Sequence, residues 1–274
     1  VISVLILTLN EEVNLPACLA SVAWSDDIVV FDSFSTDRTM EIARAAGARV
    51  EQRRFDNYAA QRNAALKVGF KYPWVLMLDA DELVSDELHA EMVKKLKNDA
   101  EGVEMFRMRR KDLFLGKWLR RSSGYPTWSS RLFKVGRVWV EREINEEMHC
   151  KGIVGNLNAH FIHYPFNKGI AYWWERHNRY STMEATALVQ ETHHKMRVDK
   201  MFSRDPTVRR KWLKQLAYRL PGRPILVFIF LYIVRFGFLD GKAGWRYCCM
   251  RAIYEYMIDL KVIELKRREK GLPS

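Results

Sequence analysis

Cysteine is scarce: the 274-residue chain has four, Cys18, Cys150, Cys248 and Cys249, with no Cys-x-x-Cys spacing among them. This excludes a thiolate zinc site and a disulfide framework, and predicts a reducing compartment. With 14 glycines and 8 prolines the chain is neither collagenous nor low in complexity, and 48% hydrophobic with 28% charged residues excludes a disordered one. Long apolar runs are missing too. Residues 225–234 form a run of ten, where a bilayer-spanning helix needs ~20. Residues 1–9 lack the basic flank and small-residue cleavage site of a secretory signal and read as a strand. No Gly-x-Gly-x-x-Gly follows them, which excludes the backbone cradle that dinucleotide-binding folds offer a pyrophosphate.

Charge is unevenly distributed. The net charge is +12, yet residues 1–100 sum to −5 and residues 101–274 to +17, with 19 basic and 7 acidic side chains in residues 195–274. An acidic front half and the lack of any nucleic-acid motif argue against a nucleic-acid binder. The asymmetry predicts two regions with different partners, placed at residues 1–165 and 166–274.

What is present is a βα rhythm. Residues 1–9, 27–32, 48–51 and 74–79 read as strands; residues 14–22, a stretch capped by Thr36 or Asp37 and ending at Ala46, and residues 58–70 read as helices, the first with Asn14 as N-cap and Pro16 in its first turn. This predicts an α/β fold with a parallel sheet covered on both faces. Residues 103–148 read as short mixed strands, and residues 170–189, 206–220 and 243–265 as helices. Sites in such sheets lie at the carboxyl ends of the strands. Thr8, Asn10, Glu11 and Glu12, then Asp32, Ser33, Ser35 and Asp37, then Asp79, Asp81 and Glu82 therefore converge on one edge.

The sharpest of these signals is an apolar strand that ends in Asp79-Ala80-Asp81. Carboxylates there suit a hard divalent cation that also holds substrate phosphates; the other reading is a polar strand exit in which Asp81 or Glu82 caps the helix beginning near Asp86. Asp32 is placed to accept from a base N–H or a ribose hydroxyl.

Thr8-Leu9-Asn10-Glu11-Glu12, Asp32-Ser33-Phe34-Ser35-Thr36-Asp37, Gln61-Arg62-Asn63 and Asp79-Ala80-Asp81 together resemble the inverting glycosyltransferases of family 2, which have the GT-A fold. Trp128-Ser129-Ser130-Arg131-Leu132-Phe133, Asn145-Glu146, His177-Asn178-Arg179-Tyr180-Ser181 and Gly237-Phe238-Leu239-Asp240-Gly241 resemble its subgroup of WaaE-type lipopolysaccharide-core glucosyltransferases. The resemblance implies a GT-A-like mixed, mainly parallel sheet flanked by helices, followed by a helical, basic C-terminal extension. It implies metal-dependent hexosyl transfer, with Mn2+ or Mg2+, from a nucleoside-diphosphate sugar (UDP favoured) to a lipid-linked or lipopolysaccharide-type acceptor. In that reading Thr8, Asn10, Glu11 and Asp32 line the nucleotide pocket, Arg62 approaches base or diphosphate, Asp79 meets the ribose and Asp81 the metal.

Trp128 and Arg131 fall on the acceptor side, where an indole face suits a sugar ring and a guanidinium an anionic group; core packing is the other reading of Trp128. Inverting transfer needs a base for the acceptor hydroxyl. The subgroup's His-Glu pair assigns that role to Glu146, while Glu141, Glu143 and Glu147 nearby leave a solvated acidic loop as the other reading. His149, His160 and His163 lack a helical metal-ligand spacing and read as structural or acceptor-facing. Phe34 stands where the subgroup usually has Gly, and Asn145 where it has His. These departures motivate an alternative, a non-catalytic nucleotide-sugar-binding protein of the same fold.

In the basic region, Arg209, Arg210, Lys211, Lys214, Arg219, Arg223 and Arg235 surround the apolar run, with Trp212, Tyr218 and Tyr232 as amphipathic rings. This reads as an interfacial segment on an anionic membrane surface, at roughly 1 kcal/mol per basic side chain, or as a core helix beneath a solvated basic face. The expected location is cytoplasmic, peripheral at the inner face of the cytoplasmic membrane.

Overall fold

The computed structural model describes residues 2–98, 101–141, 147–192 and 222–273. Contacts divide it into two units, Val1–Trp118 with Tyr125–Lys168, and Leu119–Gly124 with Gly169–Ser274.

The first unit is built on β1 (Ser3–Thr8), an apolar strand buried along both faces. It pairs in parallel with β2 (Ile28–Asp32) and β4 (Trp74–Asp79), and β2 pairs in parallel with β3 (Arg49–Gln52). Beyond β4 the sheet becomes mixed. β8 (Thr127–Lys134) runs antiparallel to β4 and to β6 (Val103–Phe114); β11 (Ile153–His163) is parallel to β6, and β5 (Glu82–Val84) antiparallel to β11. The order is β3-β2-β1-β4-β8-β6-β11-β5, with β7 (Lys117–Trp118) on β6. A separate ribbon pairs β9 (Val138–Glu141) with β10 (Glu147–Cys150).

Side chains alternate across the pleat, so both faces need cover. Val4, Ile6, Leu76 and Leu78 pack with Leu15 and Leu19 of α1 (Leu15–Ser21) and Leu88 and Met92 of α4 (Asp86–Asn98). Leu5, Val29, Val75 and Met77 pack on the other side with Ala65 of α3 (Tyr58–Ala65). Three expectations are corrected. α3 ends at Ala65, short of residue 70, because Val68 and Gly69 are poor helix formers just before the chain enters β4. α2 (Thr39–Ala45) begins later than its cap residues suggest, since Asp37 Oδ1 instead accepts from Thr39 N and Oγ1 in a local turn. Residues 103–114 form one strand of 12 residues rather than short pieces.

In the second unit α5 (Ile170–Thr192) packs on α7 (Gly241–Glu269) through Ala185, Tyr254 and Ile258. Trp173 is buried, with His177 stacked on it at 3.5 Å and Trp174 edge-on at 4.8 Å. Lys261 Nζ donates to Asn178 Oδ1 and Ser181 Oγ, so the 177–181 motif fastens α5 to α7. Between them, α6 (Arg223–Ile229) runs into a wide turn at Phe230–Val234 and a tight one at Gly237–Asp240 before α7. The arms Arg223–Val234 and Gly237–Glu269 meet at 73°. Glycine is required at this bend: a Cβ on Gly237 would lie 2.5 Å from Leu231 O, and one on Gly244 2.3 Å from Gly237 O. Asp240 Oδ2 accepts from Arg121 N, Ser122 N and Ser122 Oγ, which pins the Leu119–Gly124 segment to the bend. Arg223, expected as an exposed basic flank, is buried against Glu255 and Asp259. The helix expected at residues 206–220 and the cations from Arg209 to Arg219 lie outside the described residues.

Candidate functional site

The polar ends of β1, β2 and β4 lie side by side, as the parallel register requires: Thr8 is opposite Asp32, and Leu7 opposite Asp79. Asp32 is fully buried. Its Oδ1 accepts from Thr8 Oγ1 (2.9 Å) and Ser35 Oγ (2.5 Å), and its Oδ2 from Ser35 N (2.9 Å) and Gln52 Nε2 (3.1 Å). Four donors fill the acceptor capacity of a carboxylate. Asp32 thus shapes the β2 exit from beneath, with Thr8 as part of its support.

Asn10 laces the two exits together: its N–H donates to Ser35 Oγ and its Oδ1 accepts from Thr36 N, both at 2.8 Å. Its φ of 55° is one that Asn tolerates. Phe34 has φ 63°, where a bulky residue is an outlier. A backbone of this shape explains why glycine is usual at that position. The ring is half-exposed, with the Arg54 guanidinium 5.9 Å from its centroid. Glu11 pairs with Lys168 Nζ at 2.6 Å and accepts from Asn14 Nδ2 at 2.8 Å; burial raises its pKa against the pull of Lys168.

At the β4 exit the carboxylates are held by arginines. Arg62 NH2 lies 2.9 Å from Asp79 Oδ1, and Arg131 NH2 bridges Asp79 Oδ2 (2.7 Å) and Glu82 Oε1 (2.5 Å). Burial opposes ionisation of Asp79, but Arg62 and Arg131 hold it well below the usual carboxylate range; burial raises Glu82 despite the same Arg131. Arg131, expected to face an acceptor, is largely buried in this network. Arg62, expected at base or diphosphate, is itself buried and has its NH2 on the half-buried Asp79, where each charge serves as the other's partner.

Asp81 has a different neighbour. Its Oδ2 lies 3.5 Å from His163 Nε2, and His163 Nδ1 donates to Asp112 Oδ1 at 2.7 Å. Burial disfavours charge on His163, yet Asp81 and Asp112 raise its pKa to about 9. Asp112 fixes the ring so that Nε2 is the nitrogen turned to Asp81, as in sites where a carboxylate orients a metal-binding histidine. No group of three candidate ligands converges among the described residues. A divalent cation shared with substrate phosphates needs one or two protein ligands, and Asp81 with His163 fits that requirement.

Gln61-Arg62-Asn63 holds three elements from one turn of α3. Gln61 Nε2 donates to Ser33 Oγ, Arg62 reaches Asp79, and Asn63 exchanges two hydrogen bonds with the backbone of Val140 in β9. Trp128 is 37% exposed, outside the core, with Arg107 and Arg109 at 5.7 and 5.9 Å from its ring. Glu141 and Glu147 face each other across β9 and β10, within 4 Å of His149. Asn145 and Glu146 lie outside the described residues. Sequence reasoning missed His163 as the partner of Asp81, Asp112 behind it, Glu82 as the partner of Arg131, and Lys168. The signal available for His163 was its place at the end of a strand, the position that singled out Asp32 and Asp79.

Lipopolysaccharide core biosynthesis glycosyltransferase LpsC of Rhizobium meliloti (strain 1021) is 24% identical over 96% of this chain and 92% of its own length. An uncharacterized glycosyltransferase of Rickettsia bellii (strain RML369-C) is 38% identical over 92 residues, which are 33% of this chain and 31% of that protein. Among solved structures, glucosyl-3-phosphoglycerate synthase from Mycobacterium tuberculosis in complex with Mn2+, uridine-diphosphate and glucosyl-3-phosphoglycerate matches with a TM-score of 0.35 and 24% identity, over 40% of this chain and 44% of that one. The chain thus spans less than half the length of the last two. The model of the family Glycosyl transferase family 2 matches residues 3–155, more than half of the chain, including the exits of β1, β2 and β4. The chain belongs to glycosyl transferase family 2.

Proposed function

We propose that this protein is an inverting, metal-dependent hexosyltransferase that moves a sugar from a nucleoside-diphosphate donor, UDP favoured, to a lipid-linked or lipopolysaccharide-type acceptor. The observation that carries this reading is the contrast within Asp79-Ala80-Asp81: Asp79 is held by two guanidiniums, whereas Asp81 stands beside a histidine that Asp112 orients. The likeness to LpsC along nearly the whole chain supports the acceptor class.

Asp81 and His163 would hold Mn2+ or Mg2+, which when bound neutralises charge on the leaving diphosphate. Metal binding at this pair requires His163 to give up its proton. Asn10, Glu11 and the loop braced by Asp32 form the nucleotide side, and Asp79, fixed by Arg62 and Arg131, presents a rigid rim for the ribose. Trp128 offers an exposed indole face to an acceptor sugar. Glu146 takes the acceptor hydroxyl's proton as the sugar is attacked from the face opposite the diphosphate.

Calorimetric titration of UDP with and without Mn2+ tests the reading. Asp81→Ala should abolish the Mn2+ dependence of binding; unchanged dependence would refute the metal assignment. Glu146→Gln should leave donor binding intact and lower turnover by a factor on the order of 10²–10⁴. Should wild-type protein bind nucleotide sugars yet neither hydrolyse nor transfer any of a panel, the non-catalytic alternative replaces this proposal.

A further inference from the structure

The bend between α6 and α7 exposes hydrocarbon in an ordered way. Leu226, Ile229, Phe230, Ile233 and Val234 are 44–58% exposed and fall on one helical stripe, while Phe228 and Tyr232 on the other side stack together and pack edge-on against Trp245. Phe236, Phe238 and Leu239 carry the exposed surface around the turn. Proteins that remain free in water seldom leave so long an apolar stripe uncovered. The shape is built rather than slack: Gly237 and Gly244 permit backbone contacts that no Cβ would fit, and Asp240 is tied down by three donors.

Charge selects the occupant. Residues 222–254 contain five basic side chains and one acidic one, Asp240, which is buried. Arg235, Lys242 and Arg246 therefore flank the apolar tip with no exposed carboxylate in that segment. A two-fold contact between copies would bring like charges together. An anionic lipid surface answers both features, since the hydrocarbon enters the headgroup boundary and the cations meet the headgroups.

We infer that the α6–α7 bend is a membrane-docking surface: its apolar tip inserts into one leaflet of a bilayer containing anionic lipid, and Arg235, Lys242 and Arg246 bind the headgroups. Among the described residues no single helix is long and apolar enough to cross a membrane; the two arms pass by length and composition only as a bent pair. Insertion from one side suits a 73° bend. The inference uses no residue of the strand-exit site and is independent of the donor reading.

The test is co-sedimentation of the full chain, without nucleotide, with vesicles of phosphatidylcholine alone or mixed with phosphatidylglycerol. Wild type should prefer the anionic vesicles, and the preference should shrink as salt rises from ~0.1 M to ~1 M and the Debye length falls from ~10 to ~3 Å. The double variant Ile229→Glu, Ile233→Glu should lose about tenfold or more of its binding to anionic vesicles. Lys242→Gln with Arg246→Gln should lose the anionic preference while keeping the wild-type unfolding midpoint. Wild-type binding by the glutamate pair overturns the inference. So does a wild-type dimer that ignores vesicles and is dissolved by the glutamate pair, which would make the face a self-interface. If the glutamate pair does not fold, the glutamine pair decides alone, and an undiminished preference for anionic vesicles overturns the inference.

Discussion

The strand exits of the first unit and the bend of the second reverse the usual rule of charge outside and hydrocarbon inside, in opposite ways. At the strand exits, Asp32, Asp79 and Glu82 are drawn inward and each is met by donors or guanidiniums. At the bend, Ile233, Phe236 and Leu239 are turned outward, 54%, 52% and 60% exposed, with no described residue burying them. A reaction needs groups held still before substrate arrives, and paired buried charges do that. Adhesion needs surface that stays uncovered until a partner arrives.

The largest effect should come from removing the cation that two carboxylates share. Arg131→Met leaves Asp79 and Glu82 together without their common partner, and chemical denaturation should show a loss of about 3–5 kcal/mol. A loss below ~1 kcal/mol would mean that the network braces nothing.

Truncating hydrocarbon sharpens the contrast. Leu76→Ala, at a fully buried β4 position, should cost about 2–5 kcal/mol. Ile233→Ser, 54% exposed at the bend, should stay within about 0.5 kcal/mol of wild type. Equal losses in urea unfolding would erase the distinction between the two regions.

A further effect concerns pH and shows only on the acid side. Burial lowers the pKa of His177 to about 4, with its Nδ1–H donating to Trp173 O and opposing that shift. Between the folded value and an unfolded value near 6.5 the unfolded chain binds more protons, so this stabilisation is complete above about pH 6.5 and fades as pH falls toward 4. His177→Phe, which keeps a ring on Trp173, should flatten the acid side of a plot of unfolding midpoint against pH. A slope identical to wild type would remove His177 from the account.

Legibility followed from locality. β4 was readable to its ends because an apolar run stops at an acid, and that stop also marked the site. β6 was not, because Arg107, Arg109, Arg110 and Lys111 break the apolar pattern; in the fold Arg107 and Arg109 border the exposed ring of Trp128. Asp32, Asp79 and Asp81 could be found from strand ends alone. That Asp79 and Asp81 would be met by Arg131 and by His163 with Asp112 behind it could not, because these arrive from β8, β11 and β6, and pairing across a sheet leaves no trace in neighbouring letters. Glu82 illustrates the limit: beside Asp81 it reads as a helix cap, yet it is buried opposite His163 in the β5–β11 register. Phe34 taught the reverse, since a departure visible in the sequence became intelligible only with its backbone angle.

Asp240 holds Ser122 across 118 residues of chain. During synthesis at ~5–20 residues per second, Ser122 leaves the ribosome roughly 6–24 s before its anchor does. The strands that precede and follow it in the chain, Lys117–Trp118 and Thr127–Lys134, can pair with β6 in that interval, but the amides of Arg121 and Ser122 must wait for their acceptor.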